Sequence, residues 1–375
     1  MASVRPARRI LLLFTAVYAN GGIQRFNQTF IAAMASLGVQ CDVLSMHDTD
    51  ASIGSRGRGP NLHAIGFSGS RVRFACAAMR AVWSRKYDWV LIGHINLLTL
   101  VMAVIATQPL MRARTVLIAH GIEVWYRIPR MRRQALRRVD SILCVSAYTR
   151  SRVLDQTPGL PPERLKIFPN ALGDTWTQAS PSALPRSLPQ RYILSVTRLE
   201  VGDRYKGIVS VIEALSMTED ASLQYIIVGE GSDRPFLQWV AARFNVGERV
   251  HFWSGVTDPE LTGLYTRCQA FVLPSGKEGF GIVFLEAMFF GAPVIAAAEK
   301  GALDVVRDNE TGLLVPFGDC IALKRAVDRI CSDDVLRERL RKAGRSTVTG
   351  DGAFTFARFV ERSAQVLEIA RVAAA

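Results

Sequence analysis

The chain has 375 residues, of which 49% are hydrophobic and 21% are charged, and its formal net charge is +13. A length above about 300 residues favours two domains, and the composition is typical of a globular protein, which excludes intrinsic disorder. The six cysteines show no C-x-x-C spacing. The absence of this spacing argues against a zinc site and a disulfide framework, and it indicates reduced thiols in a cytoplasmic protein.

Strand and helix patterns alternate along residues 1–174. Strand-like runs stand at ILLLFTAV, QCDVLSM, LHAIGF, WVLIGH, TVLIAH, SILCVS and LKIFP, with helical patterns between most of them. The first run has basic flanks like a signal peptide, but it leads into NGGIQRF without a cleavage pattern, so we interpret it as a buried parallel strand. The apolar segment 89–107 contains His94 and Asn96 and predicts a strand followed by a helix instead of a membrane span.

Residues 175–190 are rich in Pro and Ser and lack periodicity, which predicts a linker. The alternation then resumes at YILSVT, LQYIIVG, VHFWSG, AFVLPS, PVIAAA and GLLVP. Two such series predict two doubly wound α/β domains, residues 1–174 and 191–355, with a C-terminal helix in residues 356–375 that packs toward the first domain. Because ligands bind outside the carboxyl ends of parallel strands, we expect the active site in the cleft between the domains.

The segment SGKEGFGIVFLEAMFFG carries the strongest functional signal. Glu278 lies in the predicted loop and Glu286 about two turns into the following helix, and we expect both to be reachable from one cleft. A carboxylate can accept two hydrogen bonds from a sugar diol, and amides at a helix start suit phosphate or sugar oxygens. The segment therefore predicts a clamp for a sugar joined to a nucleotide through phosphates, with backbone contacts from Gly279, Phe280, Gly281 and Ile282.

Several motifs together resemble the retaining glycosyltransferases of family 4, which have the GT-B fold of two Rossmann-like domains. EGFGIVFLE resembles the E-x7-E element of that family, and NGGIQR, AHG, CVSAYTR, FPNA, VTRLEVGDRYKG, VGEG and NETGLLVP follow its order. The resemblance covers nearly the whole chain. It implies that Glu286 holds the ribose hydroxyls and that Glu278 holds the hydroxyls of the transferred sugar.

The resemblance also implies roles for charged and polar residues elsewhere. Arg198 and Lys206 would neutralise the departing diphosphate, a role that needs fixed positive charge. The glycine pair Gly21 and Gly22, by itself a weak signal for an anion site, would bring an amide to the phosphate from the other domain. His120 matches the family histidine that contacts the donor sugar. The predicted catalytic residues are therefore His120, Glu278, Arg198 and Lys206.

Two segments depart from the family pattern. LEVGDRY contains a short insertion between Arg198 and Lys206, so Arg204 could share the role of the lysine. KGALDVV replaces a commoner glycine-pair pattern and puts contacts from Gly301 and Asp304 in doubt. HDTD contains the D-x-D pair of metal-dependent glycosyltransferases, but it stands in a polar loop, and Arg and Lys replace the metal in GT-B enzymes. We therefore predict no metal site and no cofactor.

Positive charge is concentrated in the first half of the chain. Residues 1–175 hold 23 Lys and Arg and 9 Asp and Glu, whereas residues 176–375 hold 23 and 24. The basic run WYRIPRMRRQALRR is either a solvated helix face or a site for an anionic surface. Because no helix-turn-helix, RNP or zinc module accompanies it, we predict no nucleic-acid binding and favour docking on an anionic membrane. The predicted docking residues are Arg127, Arg130, Arg132, Arg133, Arg137 and Arg138.

The residues and the family resemblance together imply a retaining, metal-independent glycosyltransferase that moves a hexose from a UDP- or GDP-sugar to an acceptor hydroxyl. We expect a lipid-linked or glycan acceptor in bacterial polysaccharide, lipopolysaccharide or glycolipid assembly, and a cytoplasmic location at the face of the cytoplasmic membrane. The alternatives are a sugar-nucleotide epimerase or another GT-B enzyme, such as a phosphorylase-like one, and a catalytically inactive membrane-docked binding protein. The sequence does not decide the sugar, base, linkage or oligomeric state.

Overall fold

A computed structural model describes residues 8–19, 21–84, 86–108, 113–173, 176 and 188–369 of the chain. It divides into two compact units after Gly173 and after Thr355, and the C-terminal segment from Phe356 belongs to the first unit. The predicted domains end at residues 174 and 355, and the predicted second domain begins at residue 191. Most of the predicted linker, and residues 370–375 of the C-terminal segment, lie outside the described residues.

The described part of the first unit contains an eight-stranded sheet in the order β3-β4-β2-β1-β5-β6-β7-β8. All pairs are parallel except β3 with β4. The strands are β1 Arg9–Phe14, β2 Gln40–Ser45, β3 Arg58–Gly59, β4 Leu62–Gly66, β5 Trp89–Ile92, β6 Arg114–Ala119, β7 Ser141–Cys144 and β8 Leu165–Ile167. The helices are α1 Gly22–Ser36, α2 Asp50–Ile53, α3 Arg71–Trp83, α4 Ile95–Ala106, α5 Ile122–Trp125, α6 Arg130–Leu136 and α7 Ala147–Gln156.

The described part of the second unit contains a six-stranded parallel sheet in the order β11-β10-β9-β12-β13-β14. Its strands are β9 Tyr192–Val196, β10 Gln224–Val228, β11 Val250–Trp253, β12 Ala270–Leu273, β13 Val294–Ala297 and β14 Leu313–Val315. Its helices are α8 Ile208–Met217, α9 Arg234–Arg243, α10 Asp258–Arg267, α11 Ile282–Phe289, α12 Cys320–Ser332 and α13 Asp334–Val348.

Every apolar run that predicts a strand forms one. Leu11, Leu12 and Leu13 of β1 are completely buried, as expected for a parallel strand covered on both faces. The segment 89–107 is β5 and α4, with His94 accepting a hydrogen bond from the Asn96 amide at the helix start. No helix in the described part of the chain has the length and hydropathy of a membrane span.

Apart from the short antiparallel strand β3, successive strands of each sheet are added first on one side of the first strand and then on the other. In the first unit this reversal lies between β1 and β5, and in the second between β9 and β12. The carboxyl ends of two such neighbouring strands diverge into loops that leave a crevice, where doubly wound proteins bind ligands. The glycine pair follows β1, Arg198 follows β9 and the Glu278 loop follows β12, so each predicted donor-binding loop leaves its sheet at a reversal.

The C-terminal helix α14, Phe356–Val366, packs against the first unit, mainly on α1. Phe359 is completely buried, and its ring lies 4.9 Å from the ring of Phe168 and 5.7 Å from that of Phe26, both edge to face. The Arg8 guanidinium donates to the Leu367 carbonyl at 2.7 Å. The chain therefore passes through the second unit and returns to complete the core of the first.

Replacing Phe359 with alanine removes the largest apolar anchor of α14. We expect the variant to lower the free energy of unfolding of the first unit by about 3–5 kcal/mol, because a buried aromatic ring is lost and a cavity remains. Denaturant unfolding of the full chain measures this change. Arg358→Ala on the exposed side of the same helix is the control, and an equal loss in both variants would contradict the packing.

Candidate functional site

The Glu278 loop is shaped by glycines between β12 and α11. Gly281 precedes α11 with φ 91°, a left-handed conformation that favours glycine, and no side chain caps the helix. The first amides of α11 are therefore left without a capping side chain, as in anion-binding helix starts. The side chains of Phe280 and Ile282 are buried, so these residues can offer only their backbone to a ligand.

Lys206 and Glu278 meet although 72 residues separate them. The Lys206 Nζ donates to Glu278 Oε2 at 2.8 Å, and the two side chains are only 17% and 13% exposed. The ion pair holds each head group in place before any ligand arrives. This contact brings the predicted phosphate-binding cation and the predicted sugar-binding carboxylate into one site.

The loop that carries Lys206 is a 3-10 turn, Val201–Lys206, which lies against the Glu278 loop. The Gly276 amide donates to the Tyr205 carbonyl at 2.8 Å. Gly207 has φ 79°, and a Cβ at this position would lie 2.5 Å from the Pro274 carbonyl oxygen. Only glycine allows the two backbones to approach so closely.

Two arginines of the segment after β9, Arg198 and Arg204, are also paired with carboxylates. The Arg198 Nη2 lies 3.1 Å from Asp203 Oδ2, and the Tyr205 hydroxyl donates to Asp203 Oδ1 at 2.9 Å. Arg204 instead binds Asp233 through two nitrogens. Arg198 is 72% exposed in its side chain and stays available to a ligand, whereas Arg204 is already used. The sequence left open that Arg204 shares the role of Lys206, and this geometry disfavours it.

A second turn supports the Glu278 loop from β13. Lys300 Nζ donates to the Gly276 carbonyl, and the Gly301 amide donates to the Glu278 carbonyl at 3.1 Å. Lys300 has φ 50°, a conformation that a side chain rarely adopts and that often marks a functional position. Gly301, whose contact role the sequence put in doubt, packs directly on the Gly279 carbonyl. The KGALDVV segment therefore braces the loop.

The structure corrects the prediction that both glutamates are reachable. Glu286 is only 1% exposed, and it lies about one turn into α11, not two. The Tyr265 hydroxyl donates to Glu286 Oε2 at 3.1 Å. Because α11 packs against α10 and α13, all but one of the residues 282–288 are buried. The contact of Glu286 with ribose stays a prediction.

The glycine pair of the first unit opens α1 next to a buried carboxylate. Gly21 precedes α1 with φ 149°, and no side chain caps the helix. Asp48 accepts from the Val17 amide at 2.6 Å and from the Ser45 hydroxyl at 2.6 Å. The first Asp of the D-x-D pair is thus 4% exposed and holds the loop before α1. Within the described residues, no group of three or more His, Cys, Asp or Glu side chains is placed to hold a metal.

His120 is a buried neutral imidazole at the carboxyl end of β6. Its Nε2 lies 2.9 Å from the Gly93 carbonyl, which can only accept, so Nδ1 is the lone-pair nitrogen. Burial lowers the pKa of His120 to about 4. His94 stacks on it at 6.3 Å, and Glu123 accepts from the His120 amide at 2.6 Å. The ring can therefore accept a hydrogen bond from a sugar hydroxyl at neutral pH.

The basic run forms two helices instead of one, α5 and α6, with Pro129 directly before α6. Trp125 is buried and donates to the Thr149 hydroxyl, whereas Tyr126 and Met131 are exposed. Arg137 donates to the Pro158 carbonyl at 2.7 Å, so it has a structural contact. The exposed arginines are Arg127, Arg130, Arg137 and Arg138, and Arg132 and Arg133 are half-buried.

Four site residues were not predicted from sequence: Asp203, Asp233, Glu123 and Lys300. Asp233 had a weak signal, since it follows the G-x-G after β10 at a helix start. Asp203 and Lys300 lie in 3-10 turns, and Glu123 lies in the first turn of the short helix α5. Their hydrogen bonds depend on turn geometry that the sequence does not show. No pattern of spacing reveals such contacts.

Two family models match the chain. The model for glycosyl transferases group 1 matches residues 178–347, and the model for glycosyltransferase family 4 matches residues 20–173. The two matches lie side by side and together span most of the sequence. The first falls largely on the second unit and the second on the first unit.

The chain is similar to named glycosyltransferases over parts of their length. It is 34% identical over 147 residues, 39% of the chain, to the lipopolysaccharide core biosynthesis glycosyltransferase LpsE of Rhizobium meliloti, and it covers 42% of that protein. It is 30% identical over 258 residues, 63% of the chain, to a GDP-mannose-dependent alpha-(1-6)-phosphatidylinositol monomannoside mannosyltransferase of Mycobacterium tuberculosis. The match covers 65% of the second protein, so the chain spans less than two thirds of either relative.

A solved structure shares the fold. The crystal structure of Anabaena HepE in complex with UDP and glucose superposes with a TM-score of 0.78 at 17% identity, covering 96% of this chain and 99% of that one. Together with the two parallel α/β units, this likeness confirms the predicted GT-B fold class. The predicted location of the active site between the domains stays a prediction.

The buried His120 predicts a pH dependence of stability. Its pKa is lowered from 6.5 to about 4, so between these values the unfolded chain takes up a proton that the folded ring does not. The free energy of unfolding should therefore fall as the pH drops from 6.5 to 4. We expect His120→Gln to show a smaller loss, measured by denaturant unfolding at pH 7.5, 6.5, 5.5 and 4.5. His63→Gln, at an exposed position, is the control, and equal slopes for wild type and His120→Gln would contradict the assignment.

Proposed function

The chain belongs to the group 1 glycosyltransferases, and from this premise we propose that it is a retaining, metal-independent hexosyltransferase. Its donor is a UDP- or GDP-sugar, and its acceptor is a hydroxyl of a lipid-linked or membrane-proximal glycan. The proposal is supported by the family models that match both units and by relatives named for lipopolysaccharide core and phosphatidylinositol mannoside synthesis.

The contact between Lys206 and Glu278 is the single observation that carries this function. It joins a cation suited to a diphosphate with a carboxylate suited to sugar hydroxyls, at the carboxyl edge where β9 and β12 diverge. Arg198 projects from the same edge with a largely exposed side chain. A nucleotide sugar carries both chemical groups, phosphate and sugar, in adjacent positions.

In the proposed reaction, the bond from the anomeric carbon to the diphosphate oxygen breaks and a bond to the acceptor oxygen forms on the same face. The acceptor proton passes to the departing phosphate. Lys206 and Arg198 stabilise the negative charge that the diphosphate gains, and they need no reorganisation because their positions are set in advance. Glu278 accepts hydroxyl hydrogen bonds from the transferred sugar, and neutral His120 offers a further acceptor.

The first unit is proposed to dock on an anionic membrane through its basic run. Four of the six predicted arginines are exposed, and Met131 among them is 72% exposed, which adds an apolar anchor. Each arginine held near an anionic leaflet contributes about 1 kcal/mol to the binding free energy, and salt screens this attraction. Docking of this kind brings the enzyme to an acceptor that is anchored in a membrane.

Product analysis tests the proposed function. The full chain is incubated with a panel of UDP- and GDP-sugars and bacterial membrane lipids, with and without EDTA, and the anomeric configuration of the product is determined by NMR. We expect transfer with the configuration of the donor, and an unchanged rate in EDTA. An epimerised sugar nucleotide, or donor binding without turnover, would favour the alternatives, and EDTA inhibition reversed by manganese would contradict metal independence.

Substitutions at the ion pair test the site. We expect Lys206→Ala to lower kcat by about 100-fold or more, as for the loss of one preorganised charge-stabilising donor. Glu278→Gln should lower turnover, and Glu286→Gln should weaken donor binding. Steady-state kinetics with the active donor measure all three, and Lys342→Ala on α13 is the exposed control. Wild-type kinetics in all three site variants would contradict the assignment.

Charge reversal tests the docking surface. Arg130, Arg133 and Arg138 are changed to Glu, which leaves Arg137 and its hydrogen bond intact. We expect vesicle affinity to fall by at least about 100-fold, because about 1 kcal/mol is lost at each position, while donor affinity is kept. Sedimentation with phosphatidylglycerol vesicles at low and high salt measures this change. The matched control reverses exposed arginines of the second unit, Arg243, Arg325 and Arg339, and equal binding by both variants would contradict the surface.

A further inference from the structure

Arg204 makes an unusually complete contact beside the candidate donor site. Its Nε lies 2.9 Å from Asp233 Oδ2 and its Nη2 lies 2.6 Å from Asp233 Oδ1, a two-pronged pair. Its guanidinium carbon also lies 3.9 Å from the centre of the Phe236 ring. One edge and one face of the guanidinium group are therefore occupied within the protein.

This contact joins the loops that follow two neighbouring strands. Arg204 lies in the Val201–Lys206 turn after β9, and Asp233 lies at the start of α9 after β10. The Asp233 amide donates back to the Leu199 carbonyl at 2.7 Å, so the two loops are tied in both directions. A Cβ at Gly231 would lie 2.2 Å from Leu199 backbone atoms, which shows how closely the loops approach.

Arg204 is badly placed to serve a phosphate as well. The Asp233 side chain is 4% exposed, so turning Arg204 toward a ligand would leave a buried carboxylate without its cation. An unpaired buried charge is strongly unfavourable. The phosphate-facing role therefore falls to Lys206 and Arg198, which occupy the end of the same turn and the segment before it.

We propose that Arg204, Asp233 and Phe236 form a clasp that positions the Val201–Lys206 turn, and with it the Lys206 ammonium, for the diphosphate of the donor. The proposal rests on the proposed function and assigns Arg204 as a positioning residue, not a catalytic one. Arg204 acts through the turn: Tyr205 is hydrogen-bonded to Gly276, and Asp203 pairs with Arg198. In this way the clasp positions Lys206 and Arg198 at the carboxyl edge of the second sheet.

The test compares Arg204→Ala, Arg204→Lys, Asp233→Asn and the double variant Arg204→Ala/Asp233→Asn. Arg243→Ala on the same helix is the matched control. For each, kcat/KM for the active donor is measured together with the affinities for UDP, GDP, uridine and guanosine. We expect each single variant to lose about tenfold in kcat/KM and in affinity for UDP and GDP, because it loses one charge-assisted hydrogen-bonded pair. The affinities for uridine and guanosine should not change.

The double variant and the lysine variant separate the two roles of Arg204. If the clasp acts as a unit, the double variant loses no more than the worse single variant. If Arg204 instead contacts phosphate directly, Arg204→Lys and Asp233→Asn stay within about twofold of wild type while Arg204→Ala falls, and the proposal is overturned. A loss of nucleoside affinity in parallel with diphosphate affinity would reduce the clasp to a general structural contact and would also overturn it.

Hydrogen exchange provides a readout that does not depend on activity. We expect the amides of residues 199–207 to exchange at least tenfold faster in Arg204→Ala and Asp233→Asn than in wild type or Arg243→Ala. Phe236→Leu, which keeps the ion pair, serves if those variants do not fold, and it should raise exchange less. Unchanged exchange in every clasp variant overturns the proposal. If the wild-type chain transfers no sugar, faster exchange in the clasp variants still supports the clasp, and the missing transfer contradicts the proposed function.

Discussion

The candidate donor site depends on the order of strands in the second sheet. β9 and β12 are neighbours in space, although β10 and β11 separate them in the chain. Because parallel strands end at the same edge, the loop after β9 and the loop after β12 must share one space, and Lys206 meets Glu278 there. Both side chains are largely buried, so each charge needs the other, and loss of either would leave an unpaired charge in poor contact with water.

Carboxylates hold the cations of this site before a ligand arrives. Arg198 pairs with Asp203, Arg204 with Asp233, and Lys206 with Glu278. The side chain of Arg198 is 72% exposed, that of Arg204 is 46% exposed and that of Lys206 is 17% exposed. The arrangement keeps the local charge balanced in the free protein, and it fixes the direction of each head group, which is the property that electrostatic stabilisation of a leaving group requires.

At the carboxyl edge of the first sheet, two carboxylates bind backbone amides and a histidine is neutral. Asp48 accepts hydrogen bonds from backbone amides of the loop before α1, and Glu123 accepts from amides after β6. Burial keeps His120 neutral by lowering its pKa. The described residues at this edge include an uncapped helix start at Gly22 and an imidazole whose Nδ1 can accept a hydrogen bond. The strong positive charge of this unit is carried elsewhere, including the exposed arginines around α6.

The sequence by itself determined the two βα series, except for the two-residue strand β3. It also determined the motif loops at the strand ends, because apolar runs and glycine positions are local properties. It also placed Glu278, Lys206 and His120 at carboxyl ends of strands. Only the tertiary structure decided how each charge is used: that Arg204 binds Asp233, that Glu286 and Trp125 are buried, and that Lys300 braces the Glu278 loop. These outcomes depend on partners brought together by strand order and helix packing, which no local pattern encodes.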